Sequence, residues 1–354
     1  MEWLRSAMLP PQGSAFAGEV DTLYMALFWL SVVLFIGIAF PAIYFAWRYR
    51  FKPGRVTPHQ THNTMLEIIW TVIPLLLCVG IFFWGLDGWM KYAVAPGESM
   101  QIQISAKKWI WQFEYPDGTR TANEIHVLIN KPVQFVMTSE DVLHDFFVPD
   151  MRVKHDIVPG RYTQVWFTPT VHGEHHVTCA EYCGKGHSDM QAKLFVDTRE
   201  EFDKFMLTGG TEWEDYKMKP ADWGKIQYER KGCKTCHSID GSKTAQGGPS
   251  WKGIWGKMEE MNDGKQVLVD EAYVRESMLQ PQAKIVKGYE PIMPTFQGLL
   301  RETEIQGLMA FIKSLGNDPN GGPPAPTVLT LPPPPAKPGT AAAPGQTAPA
   351  TQPK

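Results

Sequence analysis

Two long stretches without one charged side chain constrain this sequence more than any other feature. Residues 23–47 and residues 68–86 contain no Asp, Glu, Lys or Arg. About 20 apolar residues, rising 1.5 Å each, cross a hydrocarbon core of roughly 30 Å, so either stretch is long enough to span a bilayer. The competing reading is a pair of buried helices in a soluble protein, but few soluble helices are apolar on every face. Pro41 and Pro74 are tolerated inside membrane helices. The loop between the stretches carries Arg48, Arg50, Lys52 and Arg55, and positive charge in a short loop favours the cytoplasmic side. The segment before the first stretch holds Glu2, Arg5, Glu19 and Asp21, with no such excess. The expected path therefore starts outside, dips in and returns, leaving everything after Leu86 on the outer face. Ala15-Phe16-Ala17 has the pattern of a signal-peptidase site, but no apolar region precedes it. The N-terminus is read as an external lead-in.

Beyond the second stretch the pattern changes. The chain has 354 residues, room for two or three domains. Gln101-Ile102-Gln103-Ile104 alternates as a strand does. Residues 109–115, 124–129, 133–138 and 163–168 read as further short strands. Turns such as Pro116-Asp117-Gly118 and Pro159-Gly160 separate them. That spacing indicates a β-sandwich or barrel over residues 98–198. A helical, charged and aromatic linker follows at 199–220, then a globular unit at 221–316 with helical ends at 223–231 and 302–315. From 317 to 354 the chain is mostly Pro, Ala, Gly and Thr, a composition that cannot bury a core and is expected to be disordered. Net charge is −3 and no basic block stands out, which leaves nucleic-acid binding without support.

The first chemical constellation is Cys179-Ala180-Glu181-Tyr182-Cys183-Gly184-Lys185-Gly186-His187-Ser188-Asp189-Met190, with His144 upstream. Thiolate, thioether and imidazole together select copper. A mononuclear blue-copper site needs two His, one Cys and a weak Met, and here there is one Cys too many. A second thiolate lets both sulfurs bridge two coppers, each completed by one His and one weak ligand. Met190 would serve one, the backbone carbonyl of Glu181 the other. The alternatives are a Cys179–Cys183 disulfide, permitted in an oxidising compartment, a structural zinc, which does not call for the Met, and the blue-copper site. Cys78 lies within the second apolar stretch and reads as packing.

The second constellation is Cys233-Lys234-Thr235-Cys236-His237. C-x-x-C-H is the attachment pattern of a c-type haem, with the His facing the iron. A thioredoxin-like pair would need a βαβ context, and a zinc site a second ligand pair; no Cys or His follows His237. A low-spin cytochrome commonly takes Met as its sixth ligand. The candidates are Met258, Met261, Met278, Met293 and Met309. Met293, in the loop Pro291-Ile292-Met293-Pro294, is favoured, because a loop Met followed by Pro resembles the distal ligand of class I cytochromes c. Gly248-Pro249-Ser250-Trp251 resembles their proximal loop.

The copper pattern, the apolar hairpin, the aromatic run Trp109-Ile110-Trp111-Gln112-Phe113-Glu114-Tyr115 and the run Lys154-His155-Asp156-Ile157-Val158-Pro159-Gly160-Arg161 together resemble subunit II of cytochrome c oxidases. The resemblance spans residues 23–196. It implies a two-helix membrane hairpin, a cupredoxin-like β-barrel holding a dinuclear copper centre (CuA), and behind them an all-α class I cytochrome c domain, as in caa-type haem–copper oxidases. It implies that Trp109 sits above the copper pair where electrons come in. It also implies that the Glu181 carboxylate binds magnesium or manganese at the subunit I interface, and that Glu67 stands at the cytoplasmic mouth of a proton channel into subunit I. The function it implies is electron input, from a soluble cytochrome c or another small redox protein, through haem c and CuA to subunit I. There the family reduces oxygen to water and pumps protons. Subunits I and III, membrane lipid and the external donor are the implied partners. The place is the bacterial cytoplasmic membrane, crossed twice, with both redox domains outside. Two rivals are the CuA subunit of a nitric oxide reductase and a stand-alone membrane-tethered carrier. A quinol oxidase subunit would lack the copper ligands. His172, His175 and His176 crowd the strand before Cys179. Strand alternation sends the last two to opposite faces, and all three are expected near the centre rather than on it. Residues 221–316 carry 13 Lys and Arg against 12 Asp and Glu, so net charge does not single out a donor.

Overall fold

The computed structural model describes residues 2–55, 62–208, 218–244 and 247–316. The expected tail, 317–354, and most of the second half of the expected linker lie outside the described residues.

The charge-free stretches form two long helices, α2 (Ala17–Arg48) and α3 (Thr64–Tyr92), behind a short α1 (Glu2–Met8). Their apolar surfaces are bare: Phe35, Ile38 and Phe40 on α2 and Leu76, Phe82 and Phe83 on α3 are all exposed. Surfaces this apolar suit lipid on all sides. Both helices outrun the predicted spans. The 32 residues of α2 measure about 48 Å, more than a hydrocarbon core of roughly 30 Å. Asn63 starts α3 by accepting the Leu66 N–H at 3.1 Å, the ordinary N-cap arrangement.

The outer turns of α2 meet the β domain, and the lead-in is part of that contact. Asp21 is buried and accepts from Arg152 Nε at 2.7 Å and Gln12 Nε2 at 2.8 Å. The Gly13 N–H donates to the Asp150 carbonyl and the Thr170 N–H donates to the Gly13 carbonyl, each at 2.8 Å, while the Phe16 ring lies 4.1 Å from that of Tyr92 at the end of α3. The expected external lead-in is thus a stitch that ties the hairpin to the barrel.

Ten strands follow: β1 (Met100–Lys107), β2 (Ile110–Glu114), β3 (Arg120–Ala122), β4 (Glu124–Leu128), β5 (Val133–Ser139), β6 (His144–Val148), β7 (Val153–Ile157), β8 (Thr163–Phe167), β9 (Gly173–Cys179) and β10 (Gln191–Asp197). They form two five-stranded sheets, β3-β2-β1-β5-β8 and β4-β10-β9-β6-β7. β1 and β5 pair in parallel, as do β10 and β4. The parallel pairs mean the chain crosses between sheets instead of running as a meander. Strand alternation puts Ile102, Ile104, Phe113, Phe135, Phe146 and Leu194 into the shared core, each buried. This is the cupredoxin-like barrel the sequence led us to expect.

After α4 (Arg199–Thr208), the last unit is built on α5 (Pro220–Arg230), α6 (Glu271–Leu279) and α7 (Glu302–Ser314). α5 and α7 cross with backbones touching: a Cβ on Gly224 would lie 1.9 Å from the Gly307 carbonyl oxygen. The unit is helical as expected, with one addition, a hairpin of β11 (Met258–Glu260) and β12 (Gln266–Leu268). Gly264 turns it at a φ of +80°, a region glycine reaches at no steric cost. Ile110 of β2 and Ala122 of β3 pack into this unit's apolar cluster, so barrel and helical unit share a buried contact.

Candidate metal centres

The copper loop is held by three strands. His144 opens β6, Cys179 closes β9, and Met190 directly precedes β10. β6 pairs with β9 and β9 with β10, so the ladder brings the three side chains to one end of one sheet. Reactive atoms of His144, Cys179 and Cys183 all lie within 4.8 Å of one another. The two Sγ atoms are 3.7 Å apart, far beyond the 2.05 Å or so of a disulfide, and both cysteines are free. His144 Nδ1 is 3.9 Å from Cys179 Sγ and His187 Nδ1 is 3.5 Å from Cys183 Sγ. Met190 Sδ lies 3.8 Å from Cys183 Sγ and the Glu181 carbonyl oxygen 3.2 Å from Cys179 Sγ. Each sulfur therefore has one imidazole and one weaker donor beside it. Two bridging thiolates with that symmetry fit a copper pair. A single structural zinc would leave the Met and the carbonyl without a role.

The electrostatics favour thiolate. The hydrogen-bonded contact between the two buried sulfurs draws the Cys179 thiol down and pushes the Cys183 thiol up. A cation takes these sulfurs as thiolates, so binding displaces whatever protons they carry. Burial alone would lower the His144 pKa, but hydrogen bonds to Cys179 and Asp141 raise it. Asp141 Oδ1, 2.9 Å from His144 Nε2, fixes the ring with its other nitrogen facing the sulfurs, the usual support behind a metal-bound imidazole. The sequence reading missed Asp141; its place three residues before a candidate ligand was the available signal.

Trp109 covers this centre. Its Nε1–H donates to the Cys183 carbonyl at 3.3 Å. Its indole lies flat on the loop, so that a Cβ on Gly186 would be 2.6 Å from the ring. Trp111, fully buried, sits edge-on to His144 with centroids 6.3 Å apart. His175 is buried against Asp150 at 2.8 Å, His176 is exposed beside Lys193, and His172 is exposed against Glu201. His175 is buried and His176 exposed on opposite faces of β9, as strand alternation predicted.

The second site is a cavity of about 810 Å³ lined by Cys233, Cys236, His237, Trp251, Met278 and Met293. His237 Nδ1–H donates to the Pro249 carbonyl at 2.7 Å, and burial lowers its pKa. The ring is therefore neutral with its second nitrogen unspent, as an iron ligand must be. Trp251 stacks on it at 5.1 Å, and a Cβ on Gly248 would strike the Cys236 carbonyl at 2.4 Å. The loop of residues 248–251 thus supports the proximal side, as its sequence suggested. Burial pushes the Cys233 thiol up to about 12 and the Cys236 thiol up to about 11. A thioredoxin-like pair works by a lowered thiol pKa, and these two thiols are shifted the other way. The residues present fit a haem. Of the five candidate methionines, only Met278 and Met293 are among the cavity's lining residues, and Met278 is buried within α6. Barrel residues Lys108, Trp109, Ile110 and Asp141 line the same cavity. Glu67 is exposed in the first turn of α3, at the hairpin end away from the barrel. Glu181 is half-buried on the copper loop.

Three family models match the chain: the transmembrane domain of cytochrome c oxidase subunit II over residues 3–87, its periplasmic domain over residues 119–196, and cytochrome c over residues 221–316. Cytochrome c oxidase subunit 2 of Alkalihalophilus pseudofirmus is 29% identical over 322 residues, covering 87% of this chain and 90% of that protein. Cytochrome c oxidase subunit 2 of Pneumocystis carinii is 31% identical over 217 residues, covering 53% of this chain and 87% of that protein. Among solved structures, the periplasmic domain of subunit II of cytochrome oxidase of Bradyrhizobium japonicum is 30% identical, covering 32% of this chain and 96% of that one, with a TM-score of 0.32.

Proposed function

This chain belongs to the cytochrome c oxidase subunit II family, and from that premise we propose that it is the electron-input subunit of a proton-pumping oxidase. Electrons from an external donor would pass through haem c to the dinuclear copper and on to subunit I. The chain is membrane-anchored through α2 and α3 and carries a fused cytochrome c domain. In this reading His144, Cys179, Cys183, His187, Met190 and the Glu181 carbonyl hold the coppers. Cys233, Cys236, His237 and Met293 hold the haem. Both groups, when bound, supply reversible one-electron chemistry, and the protein supplies orientation and electrostatics.

One observation carries the reading. Trp109 lines the cavity that contains Cys233, Cys236 and His237, and the same indole donates to the carbonyl of Cys183 at 3.3 Å. A single side chain thus bridges the two centres. Asp141 also belongs to both, lining the cavity while it steadies His144. Trp111 and Phe146 keep water from the sulfurs on the barrel side; both are fully buried.

The remaining assignments belong to the same proposal. Both redox domains would face outward from a bacterial cytoplasmic membrane crossed by α2 and α3. Glu67, at the opposite end of α3, would take up protons for subunit I. The Glu181 carboxylate would bind magnesium or manganese at the subunit I boundary. Subunit III and a small redox protein complete the partners. The test is photoreduction of the haem in the complex purified in mild detergent. The expected result is oxidation of the haem in step with reduction of the copper pair, in a preparation that contains a multi-haem partner. A reduced haem that never passes its electron to copper, or a chain that purifies alone, would overturn the proposal.

A further inference from the structure

A group of buried charges joins the two redox domains. Lys231 is only 3% exposed, and its Nζ lies 3.1 Å from Glu124 Oε2 of the barrel and 3.1 Å from Glu304 Oε1 of α7. Arg301 Nη2 reaches the same Glu304 oxygen at 3.0 Å. On the barrel side Glu124 Oε1 faces His126 Nε2 at 3.2 Å, and His126 Nδ1 faces Asp197 at 2.6 Å. Lys231 is the cluster's crossing point, and 107 residues of chain separate it from Glu124.

Its place in the chain matters. Lys231 stands two residues before Cys233, and Glu124 directly follows Asn123. Asn123 Oδ1 accepts the Trp111 N–H at 2.8 Å, and its own N–H donates to the Trp111 carbonyl at 2.9 Å. Trp111 is two residues from Trp109. The ion pair therefore couples the segment that carries the first haem cysteine to β2, the strand that the turn with the bridging indole leads into. Gly232, between them, has no room for a side chain: a Cβ there would lie 2.8 Å from Asn123 Nδ2.

The apolar part of the contact cannot do this. Ile110 and Ala122 meet the helical unit through apolar surface, and apolar contact is non-directional. It tolerates sliding and rotation. Buried charges do not, because any displaced pose that keeps the domains touching parts Lys231 from Glu124 and leaves each buried with one partner fewer. We propose that the Glu124–Lys231–Glu304 cluster is a positioning clamp. It selects the one docked pose in which the haem cavity opens onto Trp109. The clamp rests on the haem-to-copper route proposed above.

The test uses the purified holo-complex with Lys231→Met, Glu124→Gln and the double variant. Two quantities are read: the haem-to-copper transfer rate after photoreduction, and hydrogen exchange across residues 110–124. Each single variant should keep its haem bands and dicopper signal, slow the transfer on the order of tenfold or more, and raise exchange, because the charge pair that spans the two domains is lost and a buried charge is left with one partner fewer. The double variant should recover part of the loss, because coupled partners are not additive. A wild-type rate with unchanged exchange in both single variants overturns the clamp alone. No transfer in the wild type overturns the route and the clamp with it. Loss of either centre's signal in both single variants would make the cluster a folding element and would also overturn the clamp.

Discussion

Met190 and Met293 offer the simplest separation of the two centres, because each is a thioether beside a different candidate metal. Met190 is fully buried, with Sδ 3.8 Å from Cys183 Sγ. Leucine has nearly its volume, and such swaps usually cost less than about 1.5 kcal/mol. Met190→Leu should therefore fold, shift the paramagnetic signal of the copper pair and leave the haem bands alone. Met293→Leu should do the reverse, converting a six-coordinate haem to a five-coordinate one and lowering its reduction potential. Met278→Leu is the control, since Met278 also lines the cavity but sits in a packed helix. A haem spectrum that changed with Met278 and not with Met293 would reassign the ligand. At Glu67 the expected effect of Gln is slower oxygen turnover by the assembled oxidase with both spectra unchanged. Turnover equal to wild type would make Glu67 a membrane-boundary charge.

Among the elements, the α5–α7 crossing places the haem segment, because α5 leads directly into Lys231 and Cys233. The approach depends on Gly224 and Gly307, with no space for a methyl group between Gly224 and the Gly307 carbonyl. Overpacking commonly costs about 1–3 kcal/mol, and rigid backbone puts this case at or above the top of that range. Gly224→Ala should lower the melting temperature followed at the haem bands, while the copper signal, carried by β6, β9 and β10, melts as before. An unchanged haem transition would show that the helices part without cost. The Trp109 indole sets a similar demand on Gly186 of the copper loop.

For the molecule as a whole, docking of the two redox domains should depend on pH in a definite direction. His126 is buried between Phe195 and Phe205. Burial alone would lower its pKa, but hydrogen bonds to Asp197 and Glu124 outweigh that and raise it above the ordinary 6.5. Its contribution is complete below about 6.5 and fades as pH climbs through the raised value. Glu124 behaves in the opposite sense. Burial opposes its charge, yet Lys231, His126 and Arg230 hold it well below the ordinary 4.5, so its contribution is complete above about 4.5 and is lost as pH falls below that. The His126 partners lie within the barrel, so its titration bears on the barrel itself, whereas Glu124 answers Lys231 and Arg230 of the other domain. Docking should therefore loosen as pH falls below about 4.5, as read by hydrogen exchange over residues 110–124, and exchange that stayed flat on acidification once corrected for its intrinsic rate would contradict this.

Local spacing determined most of the chemistry. Cys179, Cys183, His187 and Met190 lie within one loop, and Cys233, Cys236 and His237 within one turn, so covalent reach alone assembles most of each ligand set. The charge-free stretches likewise announced two lipid-facing helices, and alternation announced the barrel. Sequence favoured Met293 among five methionines from the Pro that follows it, but could not show that Met278 lines the same cavity, because that depends on how a loop and a helix close over a hole. It gave no sign of the stitch through Asp21 and Arg152, or of the hairpin at Gly264. It also could not show that Trp109 meets Cys183, 74 residues away, or that Lys231 meets Glu124. These contacts form only when two sheets close and a second domain settles on one of them. Their partners are set by packing and buried charge across the fold, which leaves no periodic trace along the chain.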